Sequence, residues 1–332
     1  MKMPENLTDT VGDRLLDPST SRMGRYFVYL LLVLLLVNVG LGWYWSREPA
    51  VMPPLQPTTK MVVGEATTNA LISVASTLLD KPGGYLSNDV LPHRLWLDNM
   101  PNWEYGVLVQ VRDMIRVMRR DMSRSQSQSQ EDLDLAKAEP RFNFDNSSWA
   151  MPATESEYRG GIRALQSYLT RLQAGDGEAS FYARADNLNY WLGDVQKRLG
   201  SLSLKLSQSV GRDQLDIDAS QAASITQAMQ VKTPWRKVDD VFFEARGGSW
   251  ALIHLMRAAE VDFAEVLEKK NARVSFNQVI RELESTQETV WSPMILNGSG
   301  FGMLANHSLV MANYISRANA ALLDLRQLLT QG

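Results

Sequence analysis

The chain has 332 residues, 45% hydrophobic and 21% charged, with a formal net charge of −3. That balance leaves no basic excess to collect nucleic acid and no acidic excess to mark a disordered chain. It contains no cysteine, which excludes disulfides, thiolate metal sites, cysteine nucleophiles and lipid anchoring through cysteine, and suits an oxidising compartment.

Residues 1–25 read as a short cytoplasmic tail. Tyr26 to Trp45, YFVYLLLVLLLVNVGLGWYW, then runs for 20 residues without a charge. At 1.5 Å per residue it is about 30 Å long, the thickness of a hydrocarbon core. Tyr26, Phe27 and Tyr29 at one end and Trp43, Tyr44 and Trp45 at the other form the two interfacial belts expected of a transmembrane helix. A cleavable signal would be shorter and end in small residues, so the segment is expected to stay attached. Arg22 and Arg25 precede it and only Arg47 follows closely. This bias predicts a single-pass protein of a bacterial inner membrane, with its N-terminus cytoplasmic and its bulk periplasmic.

Residues 46–60 contain Pro49, Pro53, Pro54 and Pro57, a density that predicts an extended spacer with few contacts, holding the body off the lipid. Residues 61–332 read as one soluble α-helical domain. Its signal is apolar residues recurring in alternating steps of four and three, the mark of packed helices. One seam runs Phe181, Ala185, Leu188, Leu192, Val195, Leu199, Leu202, Leu206. Another runs Leu304, Ser308, Met311, Ile315, Ala318, Leu322, Leu325, Leu329. A third is Val238, Phe242, Ala245, Ser249, Leu252, Met256, Ala259, Phe263, Val266. Shorter seams cover Leu108–Met122 and Tyr158–Leu172, and Ala66–Leu79 and Phe276–Val290 also read as helix. No segment sustains the period-two alternation of a sheet. The fold class is therefore all-α: one transmembrane helix, then a multi-helix antiparallel bundle or helical array. Homo-oligomerisation through a seam is the alternative.

Breaks separate these helices. Lys81 to Gly84, KPGG, stops the first. Leu86 to Asn102 reads as an apolar loop packed on the body, Ser123 to Gln130 as a polar surface loop. Pro140 to Pro152 has aromatics without helical period and is expected to lie against the bundle. Leu215 to Val231 is read as a weak helix.

Chemistry-bearing patterns are sparse. His93, His254 and His307 have no metal-ligand spacing, and no catalytic motif is present, so neither metal nor cofactor is expected. Asn297 to Gly302 places Gly298, Ser299, Gly300 and Phe301 ahead of a helix carrying His307. Free amides at a helix start can bind an anion, but three glycines also permit close packing against backbone. Arg246 lies beside Gly247 and Gly248 inside the third seam, where two glycines cost roughly 2 kcal/mol of helix propensity. A close helix crossing is the favoured explanation. Trp96 and Trp103, in or near the apolar loop, complete the candidate contact residues.

The phrases LDNMPNWEYGVLVQVRD, FYARADNLNYWL, DDVFFEARGGSWALIHL and WSPMILNGSGFGMLANHSLVMANYISRANAA resemble a bacterial family known as domain of unknown function 2333, from about Lys60 onward. The resemblance implies a proteobacterial envelope protein and carries no activity or site residue with it. The expected function is a membrane-tethered interaction or scaffold domain, bound to the bilayer through Tyr26–Trp45 and to an envelope protein partner, with no nucleic acid. The rivals are a module binding an anionic or lipidic ligand, and a carboxylate-dependent hydrolase.

Overall fold

The computed structural model describes residues 22–53, 61–89, 99–126, 130–175, 177–210, 212–214, 229–292, 294–299 and 303–331. Helix α1, Arg22–Trp45, is long and apolar enough to cross a bilayer. It stands free of the body, its side chains from Leu30 to Leu36 between 49 and 70% exposed. Its C-terminal end meets the body. Trp45 packs against the core, its ring close under Gly83.

The body is an all-α array. In chain order it comprises α2 (Glu65–Asp80), α3 (Asn99–Val117, ending in a π turn at Met118–Met122), α4 (Leu133–Phe142), α5 (Thr154–Ala174) and α6 (Ala185–Ser207). Then come α7 (Val238–Asp262), α8 (Ala264–Lys269), α9 (Arg273–Ser285) and α10 (His307–Thr330). Cross-links give the directions. Lys81 pairs with Glu104 and Asp262 reaches Gly64, so α2 runs opposite to α3 and α7. Arg159 pairs with Asp80 and Gln173 with Glu65, so α5 also opposes α2. Arg171 reaches Asp134 and Arg141 reaches Glu157, which sets α4 against α5. Lys205 pairs with Glu244 and Arg198 with Asp113, so α6 opposes α7 and α3. Ser203 meets Ser316 and Arg326 meets Asn189, so α10 opposes α6. Arg246 bonds the residues just after α9 while Asn277 bonds Glu260, so α9 opposes α7. The closest pair is parallel: Asn102 bonds Asp240 and Gly106 touches Glu244, so α3 and α7 start together.

All the loops near residues 81–89, 143–153, 208–214, 229–237 and 286–306 therefore collect at one end, the end that Trp45 touches. The turns near 61–64, 123–132, 175–184 and 262–272 collect at the other.

The seams are the core. Leu188, Leu192, Val195, Leu199, Leu202 and Leu206 on α6, and Met311, Ile315, Ala318, Leu322, Leu325 and Leu329 on α10, are all buried, as the 3.5 period requires. Lys81, Gly83 and Gly84 stop α2. Both glycines adopt positive φ, 87 and 70°, and the Lys81 ammonium turns inward to Glu104, which also accepts the Leu86 and Ser87 amides at 2.8 Å each. The start of α2 is closed by a distant residue. The Asp262 carboxylate accepts the Gly64 and Thr67 amides at 2.9 and 2.7 Å, satisfying donors that a helix start leaves open.

Several expectations need correction. Leu304 precedes α10 and is 63% exposed, because the helix begins only at His307, capped by the Asn306 side chain. The Pro140–Pro152 region starts inside a helix, α4, which is anchored by Arg171 on Asp132 and Asp134. Phe142 is buried as expected, but Trp149 is 66% exposed. The apolar loop expected to run to Asn102 is shorter, since α3 already begins at Asn99. Met229–Val231 is not helix but a three-residue strand paired antiparallel with Arg212–Gln214. Residues 215–228, 90–98 and 127–129 of the segments read above lie outside the described residues.

Candidate functional site

Helix α7 is the axis of the body and is buried almost all round, from Ala245 through Met256. Each of its two faces is buried in a different way.

The first face meets α3 backbone to backbone. A Cβ on Gly247 would lie 2.0 Å from the Trp103 carbonyl oxygen, and one on Gly106 would lie 2.1 Å from the Glu244 carbonyl oxygen. Only glycine fits either position. Gly248 differs, because a Cβ there would meet only ordinary contacts from 3.6 Å outward. Trp103 is fully buried, its ring 5.1 Å from that of Trp250.

The second face carries Arg246, Trp250, His254 and Arg257, spaced by four, four and three residues and so aligned along one stripe. The segment after α1 lies along that stripe. The Arg246 guanidinium donates to the Glu48 carboxylate at 2.5 Å and to the carbonyls of Thr286, Gln287 and Glu288 at 2.8–3.2 Å. Trp250 Nε1 donates to the Ala50 carbonyl at 3.3 Å. The Met52 amide donates to His254 Nε2 at 2.9 Å, and Arg257 donates to the Met52 carbonyl at 2.8 Å. Glu48 to Met52 is thus a strap climbing α7 from the α1 end, not a spacer with few contacts. An extended chain has no internal hydrogen bonds, and α7 supplies partners for this one.

His254 is set up as an acceptor. Its Nδ1 lies 2.7 Å from the Trp250 carbonyl and must donate to it, which leaves Nε2 unprotonated to receive the Met52 amide. Burial pushes its pKa down to about 4, and the Arg257 charge pushes the same way. A cavity of about 300 Å³ opens beside the strap, lined by Met52, Pro53, Asn69, Ala70, Ser73, His254 and Arg257.

Of the residues singled out from sequence, Trp103 and Arg246 come together around α7. Arg246 contacts the chain's own strap. Gly298 and Ser299 lie elsewhere, in the loop before α10, and His307 is the first residue of that helix. That loop is pinned on itself. The Gly298 amide donates to Ala305 O at 3.0 Å, and the Leu296 amide to His307 Nδ1 at 3.0 Å. Asn306 Nδ2 donates to the Asn297 side chain and to Gly298 O at 2.9 and 2.6 Å. A Cβ on Gly298 would fall 2.0 Å from Leu304 O, so close backbone contact requires this glycine. Ser299 is exposed. Trp96, Gly300 and Phe301 lie outside the described residues. No group of three His, Asp or Glu side chains converges on a metal site among the described residues. Glu104 is wholly buried and engaged by Lys81 and Ser87.

Sequence reasoning missed Glu48, Trp250, His254 and Arg257. It also missed a surface feature. Among the described residues the exposed tryptophans of the body, Trp149, Trp235 and Trp291, at 66, 72 and 92%, all belong to connections at the end that Trp45 touches.

The arrangement defines an all-α protein with an N-terminal apolar helix strapped to a helical body. The chain belongs to the bacterial family described as "uncharacterized protein conserved in bacteria (DUF2333)", whose profile matches residues 20–332. No curated protein and no solved structure matches it.

Proposed function

We propose that the chain is a single-pass protein of the bacterial inner membrane, N-terminus cytoplasmic and body periplasmic, that works as an interaction or scaffold protein rather than a catalyst. The observation that carries this reading is the strap. A body meant to sample the periplasm on a leash would leave its linker in water, as a semi-rigid spacer does. Here Glu48, Ala50 and Met52 are bonded to α7, so α1 and the body move as one unit. Such a unit presents a constant face to other envelope components. Tyr190 on α6 and Leu323 on α10 are 62 and 51% exposed, and Arg326 and Asn189 join these two helices. They offer an apolar lateral contact of the kind partner surfaces use.

Two experiments in cells test the proposal. A periplasm-only reporter fused at Gly332 is expected to be active, and activity of a cytoplasm-only reporter there would overturn the topology. A photo-crosslinking residue at Tyr190 or Leu323 is expected to give a discrete protein adduct. No adduct from either position would count against the scaffold role. The second reading, a ligand-binding module, draws on the cavity beside His254 and Arg257. A small molecule that co-purifies with the wild type but not with an Ala70→Trp variant would favour it.

A further inference from the structure

We infer that the loop end of the body next to α1 is a membrane-seating surface, with Trp149, Trp235 and Trp291 lodged in the headgroup layer of the bilayer that α1 crosses. This rests on the reading of α1 as a membrane span.

Among the described residues the tryptophans of the body divide sharply. Trp103, Trp191 and Trp250 are at most 1% exposed, whereas Trp149, Trp235 and Trp291 stand out in water. The exposed three come from separate loops, before α5, before α7 and after α9, yet the up-and-down array delivers all of them to one end. Met151, Met294 and Met303, 97, 57 and 105% exposed, accompany them. At the opposite end the large exposed side chains are aliphatic, Leu133, Val274 and Val63, with no tryptophan among the described residues. Tryptophan is the residue of the membrane interface, where its ring lies among acyl chains and its N–H meets headgroups.

The position of α1 names the occupant. Trp45, the last residue of its outer aromatic belt, packs against the body at Gly83, within the same cluster of loops. Arg47 stacks over the Trp43 ring at 4.1 Å, as a cation does at headgroup level. The strap then climbs away from this end, so nothing in its course lifts the loops off the lipid. Charge agrees. Lys232, Arg236 and Lys237 flank Trp235 and are all exposed, whereas the loops of Trp149 and Trp291 carry the exposed carboxylates of Asp145 and Glu288, so the basic cluster belongs to the Trp235 anchor. Basic groups around an aromatic anchor suit an anionic leaflet.

The absence of native cysteine makes single-site spin labelling direct. The full chain is labelled at Met294→Cys, Met303→Cys, Val274→Cys or Leu35→Cys and reconstituted into vesicles of phosphatidylethanolamine and phosphatidylglycerol. Collision with oxygen, which partitions into lipid, is compared with collision with a water-soluble nickel chelate. Labels at 294 and 303 are expected to meet nickel several-fold less, and oxygen more, than the label at 274. Replacing Trp149, Trp235 and Trp291 together by serine should restore nickel access at 303. Equal nickel access at 294, 303 and 274 with Leu35 shielded would overturn the seating while leaving the membrane span intact. Nickel access at Leu35 as well would overturn both. Shielding of 294 and 303 in native membranes but not in the lipid vesicles would assign the surface to a protein partner and overturn the lipid assignment.

Discussion

The two faces of α7 solve one problem, how to bury a helix on all sides, by opposite means. Against α3 the side chains are removed. Gly247 and Gly106 let carbonyl oxygens approach to where a Cβ would stand, and dispersion contact is gained between the two backbones. Against the strap the side chains are long and polar, and they satisfy the carbonyls, amide and carboxylate of an irregular segment. At Gly247 and Gly106 the first face tolerates no added atom, and the second face no lost donor. A buried helix can therefore carry Arg246 and His254 at 8 and 6% exposure without penalty, provided that each bond is made.

The largest effect should come from breaking the glycine face. Gly247→Val should destabilise the full chain in micelles by more than ~4 kcal/mol, because the new side chain meets rigid backbone, and a thermal melt would register it as loss of the cooperative transition. The neighbouring Gly248→Ala sharpens the contrast. With only ordinary contacts from 3.6 Å outward to meet the added methyl, that change should raise the melting point, through up to ~1 kcal/mol of helix propensity. If both variants behaved alike, the crossing would be somewhere else.

On the strap face, Arg246→Leu should cost about 3 kcal/mol, since it strands Glu48 and three carbonyls together. Glu48→Gln should cost less, because the carbonyl bonds survive. Equal losses, read from the same melts, would contradict the hub role of Arg246.

The pH response follows from His254. Its folded-state value, about 4, lies below its ordinary value near 6.5, so the neutral ring is the form that folding favours. Its contribution is complete above pH 6.5 and is lost as pH falls from there through 4. The loss amounts to roughly 3 kcal/mol by proton linkage. Protonating Nε2 turns it into a donor face to face with the Met52 N–H. Stability measured from pH 7 to 4 should fall, and a His254→Gln variant should flatten that fall. An unchanged slope in the variant would remove the imidazole from the strap.

The glycine face and the seams were legible because they rest on local pattern. Leu188 to Leu206 repeat every three or four residues, and two adjacent glycines inside a seam signal a close approach. The strap was not legible. Arg246, Trp250, His254 and Arg257 form a stripe, but their partners are mostly backbone groups about 200 residues earlier, and a carbonyl has no sequence signature. The prolines around Glu48–Met52 correctly predicted extended chain and said nothing about what the chain lies on. Helix α4 was hidden by Pro140, which sits within its last turn, where a proline usually marks a break. Trp149 was expected to pack inward because aromatics usually do. Its exposure follows from a loop placement that only the whole array determines.

The central claim, that Glu48 to Met52 is docked on α7, is tested most directly by hydrogen exchange of the full chain in a lipid bilayer. The Met52 amide, held by His254 Nε2 at 2.9 Å, is predicted to exchange far more slowly than an unprotected peptide. That protection should vanish in an Arg246→Leu, His254→Gln double variant whose seam helices remain protected. Exchange of residues 48–52 at the unprotected rate in the wild type would contradict the account, and would return the segment to the role of a free spacer.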